Sequence, residues 1–141
     1  MGIISFNHRL HQLAEAAPDA VAVTCGNESI TRAALVAAGG DLAVHLHDHG
    51  VRQGHMVTIA APNSIDWFIA YVAAWRLGAV PQPISSRLPA REVDAIMELA
   101  DPSAVIGVPE GSIEGRLCIP LGFRAPAVDS SHLPDLVSPA W

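Results

Sequence analysis

Apolar residues change their spacing several times along this chain, and each change marks an element. Phe6, Leu10, Leu13 and Ala17 recur at helical spacing and Pro18 closes the run, so the pattern predicts a short amphipathic helix over Phe6 to Ala17. Ala20 to Cys25 is rich in β-formers, Gly26-Asn27-Glu28 is turn chemistry, and Ser29-Ile30 begins a return strand; a hairpin is expected. Thr31 can cap a helix that runs to about His49, with Leu35, Leu42 and Leu46 on one stripe and Gly50 as terminator. Gly39-Gly40 weakens that helix by roughly 1 kcal/mol per glycine relative to alanine, so close packing against a neighbouring element is expected there.

The stretch from Met56 to Pro89 reads as strand, buried helix and second strand, one βαβ unit. Met56 to Ala60 is apolar and β-branched, and Pro62-Asn63-Ser64 breaks it. Ser64 can cap the following helix and Asp66 favours its positive end. From Ile65 to Trp75 no polar face is left, so the helix must be covered on most sides. It is shorter than the about 20 apolar residues that span a bilayer. Gly78 ends it, and Ala79 to Ile84 returns as a strand whose prolines suit an edge. Pro89 then takes a first helical position, and Ala90 to Ala100 carries Val93, Ile96, Met97 and Ala100 at helical spacing. Asp101-Pro102 stops that helix before a third apolar strand, Ala104 to Val108.

Strands alternating with helices imply an α/β fold, a three-layer arrangement in which helices cover both faces of a parallel-type sheet. The pattern fades after Val108. From Pro109 to Trp141 the chain is irregular and rich in Pro, Gly and Ser, with one strand expected at Leu117 to Ile119, and no internal repeat is present.

Composition narrows the partners. Half of the 141 residues are hydrophobic, enough for one globular domain. A formal charge of −6 with only 8 Lys and Arg argues against nucleic acid, whose backbone is bound by clustered cations. Cys25 and Cys118 lie far apart without a metal-type spacing, so reduced cysteines and a cytoplasmic location are expected. The first residues are interrupted by Asn7, His8, Arg9 and His11 before a signal-peptide core can form, and Phe6 breaks the myristoylation pattern at Gly2.

Several side chains are candidates for chemistry. His45 and His49 fall one helical turn apart, a geometry that can bind a metal, but no second cluster completes four ligands and a polar helix end is the simpler reading. Pro62-Asn63-Ser64 follows a strand, where α/β folds place ligands, yet it reads better as a cap and an Asx-type turn. Trp67, Phe68, Tyr71 and Trp75 could line an acyl or aryl pocket, against which stands the ordinary role of a helical aromatic stripe as core. Ser85-Ser86 and Ser130-Ser131 lack a partnered His and acid, so hydrolase chemistry is not supported. No residue is assigned as catalytic and none as a metal ligand.

An ordered set of residues nevertheless carries a family likeness. Pro18-Asp19-Ala20-Val21-Ala22-Val23, Gly26, Thr31, Leu35, Gly50-Val51, Gly54, Val57, Pro62-Asn63-Ser64, Gly78-Ala79-Val80, Pro83, Arg87-Leu88 and Glu92 span roughly Leu10 to Val108. In that order they resemble the N-terminal subdomain of the adenylate-forming enzymes: acyl-CoA synthetases, aryl-CoA ligases, luciferases and peptide-synthetase adenylation domains. The chain departs from the family at Thr31-Arg32-Ala33-Ala34-Leu35, where Thr-Tyr-x-Glu-Leu is usual, and at Gly54-His55, where Gly-Asp is usual.

The resemblance implies that residues 1–141 are the N-terminal part of an AMP-binding domain, an incomplete subdomain of an acyl-CoA synthetase-like fold. Leu136-Val137-Ser138-Pro139-Ala140-Trp141 is similar to the stretch preceding the family's Ser/Thr/Gly-rich phosphate loop, which itself is not in the sequence. The expectation is therefore a fragment of an ATP-dependent carboxylic acid–CoA ligase. Its parent would use ATP, CoA and magnesium to form an acyl-adenylate and then a thioester, and the fragment alone would be inactive. Arg87 is the residue carried over, as a contact to CoA phosphates, which suit a guanidinium fork. Two alternatives stand beside this reading: an adenylation domain that loads a carrier protein, and a non-catalytic α/β module that oligomerises through exposed apolar surface. The acid is left open among fatty, aromatic and steroid or bile acids.

Overall fold

The computed structural model describes residues 4–129 together with Ser131, Leu133 and Pro134. Helix α1 (Phe6–Ala16) leads into an antiparallel hairpin, β1 (Val21–Cys25) and β2 (Glu28–Thr31), and then into helix α2 (Arg32–Asp48). Strand β3 (Met56–Ile59), helix α3 (Ile65–Leu77) and strand β4 (Val80–Pro83) form the βαβ unit. Helix α4 (Ala90–Ala100), β5 (Ala104–Ile106) and β6 (Leu117–Ile119) follow. The last four strands make one parallel sheet in the order β4-β3-β5-β6, with the hairpin apart from it.

Register divides the sheet into two faces. Val57 pairs with Ala104, and Ile59 with Ile106 and through it with Ile119; these side chains join Leu35, Leu42, Leu46, Ile69 and Leu77 of α2 and α3 in one core. Thr58, Val105 and Cys118 are register partners on the other face and are also buried. The chain moves one way from β3 to β4 and back past β3 to reach β5. Right-handed crossovers therefore place α3 and α4 on opposite faces. Met97 is the buried residue of α4, while Leu99 on its outer side is 90% exposed. The expected three layers are present.

Local chemistry explains the boundaries. Thr31 and Ser64 accept hydrogen bonds from the N–H groups of Ala34 and Trp67, as their positions predicted, and Gly78 ends α3 at φ 67°. Gly39 lies against Val72 of α3, which is the close packing that a mid-helix glycine called for. Prolines 81 and 83 sit in β4, an edge strand.

Four expectations are corrected. Ser5 caps α1 by accepting from the N–H of His8, and Phe6 is 65% exposed, with Asn7 and Ala14 the buried positions instead. The hairpin turn is shorter than expected, because Glu28 already pairs with Cys25. Pro89 is the N-cap of α4 rather than its first helical residue, since its ψ of 148° is extended. The third apolar run ends as a strand at Ile106, because Gly107 turns the chain at φ +101°.

The described residues after β6 have little regular structure but fixed attachments to α2 and α3. The Asp66 carboxylate pairs with Arg124 and accepts from the Gly122 N–H at 2.9 Å. Asp41 accepts from the Val128 N–H at 3.2 Å, Arg76 donates to the Pro134 carbonyl at 3.1 Å, and Leu133 is buried in the core. The stretch Leu136 to Trp141 lies outside the described residues. At the start of β6, the Arg116 guanidinium pairs with Asp101 and donates to the carbonyls of Pro102 at 2.9 Å and Met97 at 3.3 Å, satisfying the end of α4.

Candidate functional site

All four parallel strands point their C-terminal ends at one rim, built from the loops after β3 (residues 60–64), β4 (residues 84–89) and β5 (from Gly107). The chain leaves β3 toward β4 and leaves β5 toward β6, so the direction of winding reverses between β3 and β5. Open α/β sheets bind ligands outside the strand ends at such a reversal.

Here the base of that crevice is closed by backbone. The Ala60 N–H donates to the Ile106 carbonyl at 2.7 Å, and the Gly107 N–H to the Ile119 carbonyl at 2.7 Å. A β-carbon on Gly107 would lie 2.7 Å from the Ala60 oxygen, so only glycine lets the two loops meet. Polar groups for a ligand must therefore come from the upper loops.

In the first loop, Ser64 is committed to structure: its hydroxyl donates to the Pro62 carbonyl at 2.9 Å and accepts from the Trp67 N–H at 3.3 Å. The expected helix cap is thus made by Ser64, whose hydroxyl also closes back on Pro62, and Asn63 is exposed. In the second loop, Ser85 accepts from the Arg87 N–H at 3.2 Å, which orients the backbone beneath an exposed Arg87 side chain. Among the described residues no carboxylate pairs with Arg87. A free guanidinium on the ligand rim can take a phosphate or a carboxylate.

The histidines lie elsewhere, at the C-terminal end of α2. His45 and His49 share a face, as their spacing predicted, with ring centroids 4.4 Å apart, and His49 Nδ1 lies 2.7 Å from the His45 carbonyl. Among the described residues no group of three His, Cys, Asp or Glu side chains could hold a metal. The Phe123 ring packs on His45 at 4.8 Å. Burial lowers the His45 pKa below its ordinary value, the neighbouring His49 lowers it further, and Asp48 opposes both.

The aromatic stripe of α3 is not closed core. Trp67 stacks on Tyr71 at 4.0 Å, Tyr71 meets Trp75 edge-on at 5.5 Å, and Phe6 stacks on Trp75 at 4.9 Å. All four α3 aromatics are half-buried and line an open cavity of about 440 Å³ between α1, the hairpin, α2 and α3. Periodicity could not show this, since it reports an apolar face but not what covers it. Sequence reasoning also left Arg32 unremarked on that cavity wall; its place where the family has tyrosine was the available signal.

A doubly wound α/β sheet with its ligand rim at the strand ends is thus defined, and comparison with known proteins supplies the family. Residues 10–133 match the model of the AMP-binding enzymes, and the chain belongs to that family. It is 31% identical over 106 residues to malpinin synthetase of Mortierella alpina, covering 72% of this chain and 1% of that protein. It is 33% identical over 92 residues to a medium/long-chain-fatty-acid–CoA/3-oxocholest-4-en-26-oate–CoA ligase of Mycobacterium marinum, covering 65% and 17%. Among solved structures, NpsA-ThdA, an artificially fused adenylation-PCP di-domain from Klebsiella oxytoca, superimposes with a TM-score of 0.75 at 22% identity, over 85% of this chain and 23% of that one. The N-terminal subdomain of NpsA alone gives 0.71. The chain thus spans less than a quarter of each full-length protein named here. No helix among the described residues is long and apolar enough to cross a membrane.

Proposed function

We propose that this chain is the N-terminal part of an acid–thiol ligase that makes acyl-CoA. In that reaction a carboxylate attacks the α-phosphorus of ATP and expels pyrophosphate, giving the acyl-adenylate. The CoA thiolate then attacks the acyl carbon and AMP leaves. Bound magnesium would supply charge neutralisation of the phosphates in the first step, and no residue of this chain is assigned to hold it. None of the family's ATP-contacting motifs occurs in these 141 residues, so no bond-making role falls to a residue here and the chain by itself should be inactive.

The observation that carries the choice of CoA is Arg87. It is exposed in the loop after β4, on the rim where this sheet class binds ligands, and no carboxylate among the described residues neutralises it. A planar fork of donors fits the phosphates of the CoA nucleotide. The fatty-acid–CoA ligase relative supports the same acceptor and a fatty acyl donor. A second reading, transfer to a carrier-protein thiol, is favoured by the likeness to a fatty acid–[acyl-carrier-protein] ligase and to an adenylation-PCP di-domain.

The test uses the longest product of the gene's reading frame with ATP, magnesium and a panel of fatty and aromatic acids. Pyrophosphate release reports adenylation, and thioester formation is followed with CoA or with a phosphopantetheinyl carrier protein. Arg87→Ala is expected to raise the KM for CoA at least tenfold and leave pyrophosphate release unchanged. Carrier loading without acyl-CoA formation would replace the first reading with the second, and no pyrophosphate release with any acid would remove both. Cell fractionation tests the cytoplasmic location that goes with either.

A further inference from the structure

The cavity beside α3 is separate from the strand-end loops that define the rim. Its volume, about 440 Å³, falls within the roughly 300–1,000 Å³ of small-molecule sites. Its walls are overwhelmingly apolar, with the Trp67, Tyr71 and Trp75 rings on one side and Leu13, Val23 and Leu35 opposite. One wall residue carries a charge. Arg32, the first residue of α2, donates one N–H to the Leu13 carbonyl at 3.2 Å, and no carboxylate among the described residues pairs with it. The remaining donors of the guanidinium are free for another acceptor.

An aromatic cleft with one uncompensated cation selects for a molecule that is apolar along most of its length and anionic at one end. A volume of about 440 Å³ suits a flat ring or a short chain. Partial burial pushes the Tyr71 hydroxyl above its ordinary pKa, in keeping with its place on a half-buried wall. We propose that this cavity is a binding site for a small aromatic or medium-chain carboxylate, its apolar body against Trp67, Tyr71 and Trp75 and its carboxylate on Arg32. Such a site would sense or hold an organic acid apart from the ligase rim.

The test titrates the 141-residue chain with 2-naphthoate and with uncharged 2-naphthamide, following tryptophan emission and backbone amide shifts. Naphthoate is expected to quench the emission and shift amides of α3 and the start of α2, with naphthamide at least tenfold weaker. Arg32→Gln is expected to abolish the difference between the two probes. Arg32→Lys, which keeps the charge and relieves any concern over folding, is expected to retain part of it. Tyr71→Ala, with its fold checked by circular dichroism, should weaken both probes. Equal binding of acid and amide, an Arg32→Gln variant that still prefers the acid, or shifts confined to the strand-end loops would each overturn the proposal. So would a dimer of this chain that naphthoate neither enters nor dissociates, because the cavity would then belong to a second copy. Loss of binding in the longer gene product would assign it to a later segment of the same chain.

Discussion

Gly39 of α2 meets Val72 of α3 so closely that a β-carbon at position 39 would lie 2.3 Å from Val72 Cγ1. The two helices pack as neighbours because that position has no side chain. Alanine there gains about 1 kcal/mol of helix propensity but must push a β-branched side chain aside, an overpacking cost of about 1–3 kcal/mol. Gly39→Ala is therefore expected to destabilise the protein, and Gly39→Ala with Val72→Ala to cost less than the two single changes summed. Urea unfolding of the three variants measures the coupling, and strict additivity would contradict the contact.

Gly107 offers a harder case, because its neighbour is backbone. At φ +101°, with the Ala60 oxygen 2.7 Å from any added β-carbon, neither side can yield cheaply. Gly107→Ala should cost about 3 kcal/mol or more, as strain and a clash combine. A denaturation midpoint within error of the parent would show that the β3 and β5 loops are not locked together.

Asp66 serves two elements at once: it lies in the first turn of α3 and it receives Gly122 and Arg124 from the segment after β6. Asp66→Asn keeps the size and removes the charge. The expected loss is about 1 kcal/mol, and its sharper signature is local. Trypsin should cut after Arg124 faster in the variant while α2 and α3 keep their amide protection.

His45 gives a pH dependence of known sign. Its folded pKa lies below the unfolded value of about 6.5, chiefly because burial disfavours the imidazolium. The unfolded chain then binds the proton more readily, so this residue subtracts stability as pH falls through 6.5 toward the folded pKa, and the loss levels off below it. His45→Gln is expected to flatten stability over that range, and a variant whose pH profile parallels the parent's would exclude the effect.

Much of this architecture was legible in the residues, for reasons that are local. Thr31, Ser64 and Gly78 act on hydrogen bonds within one helical turn, so the sequence alone locates the helix ends they make. The misses have equally definite causes. Phe6 and Leu10 share the helical stripe of α1, and Leu10 does pack on the core, yet Phe6 stays exposed while Asn7 and Ala14 are buried; which positions are covered depends on the helices it meets. Prolines and glycines in the last stretch hide the attachments of Gly122, Val128 and Pro134, which are made to side chains more than 50 residues earlier.

The sequence by itself determined the alternation of strands and helices, the caps and stops, the need for close packing at Gly39 and the family likeness at Arg87, because each is written in neighbouring residues or in their order. Tertiary structure alone decided the strand order β4-β3-β5-β6, the closure of the β3/β5 crevice at Gly107, and the opening of the α3 aromatics onto a cavity with Arg32 in its wall. These features join residues far apart in the chain, and their energies exist only once the elements are packed against one another.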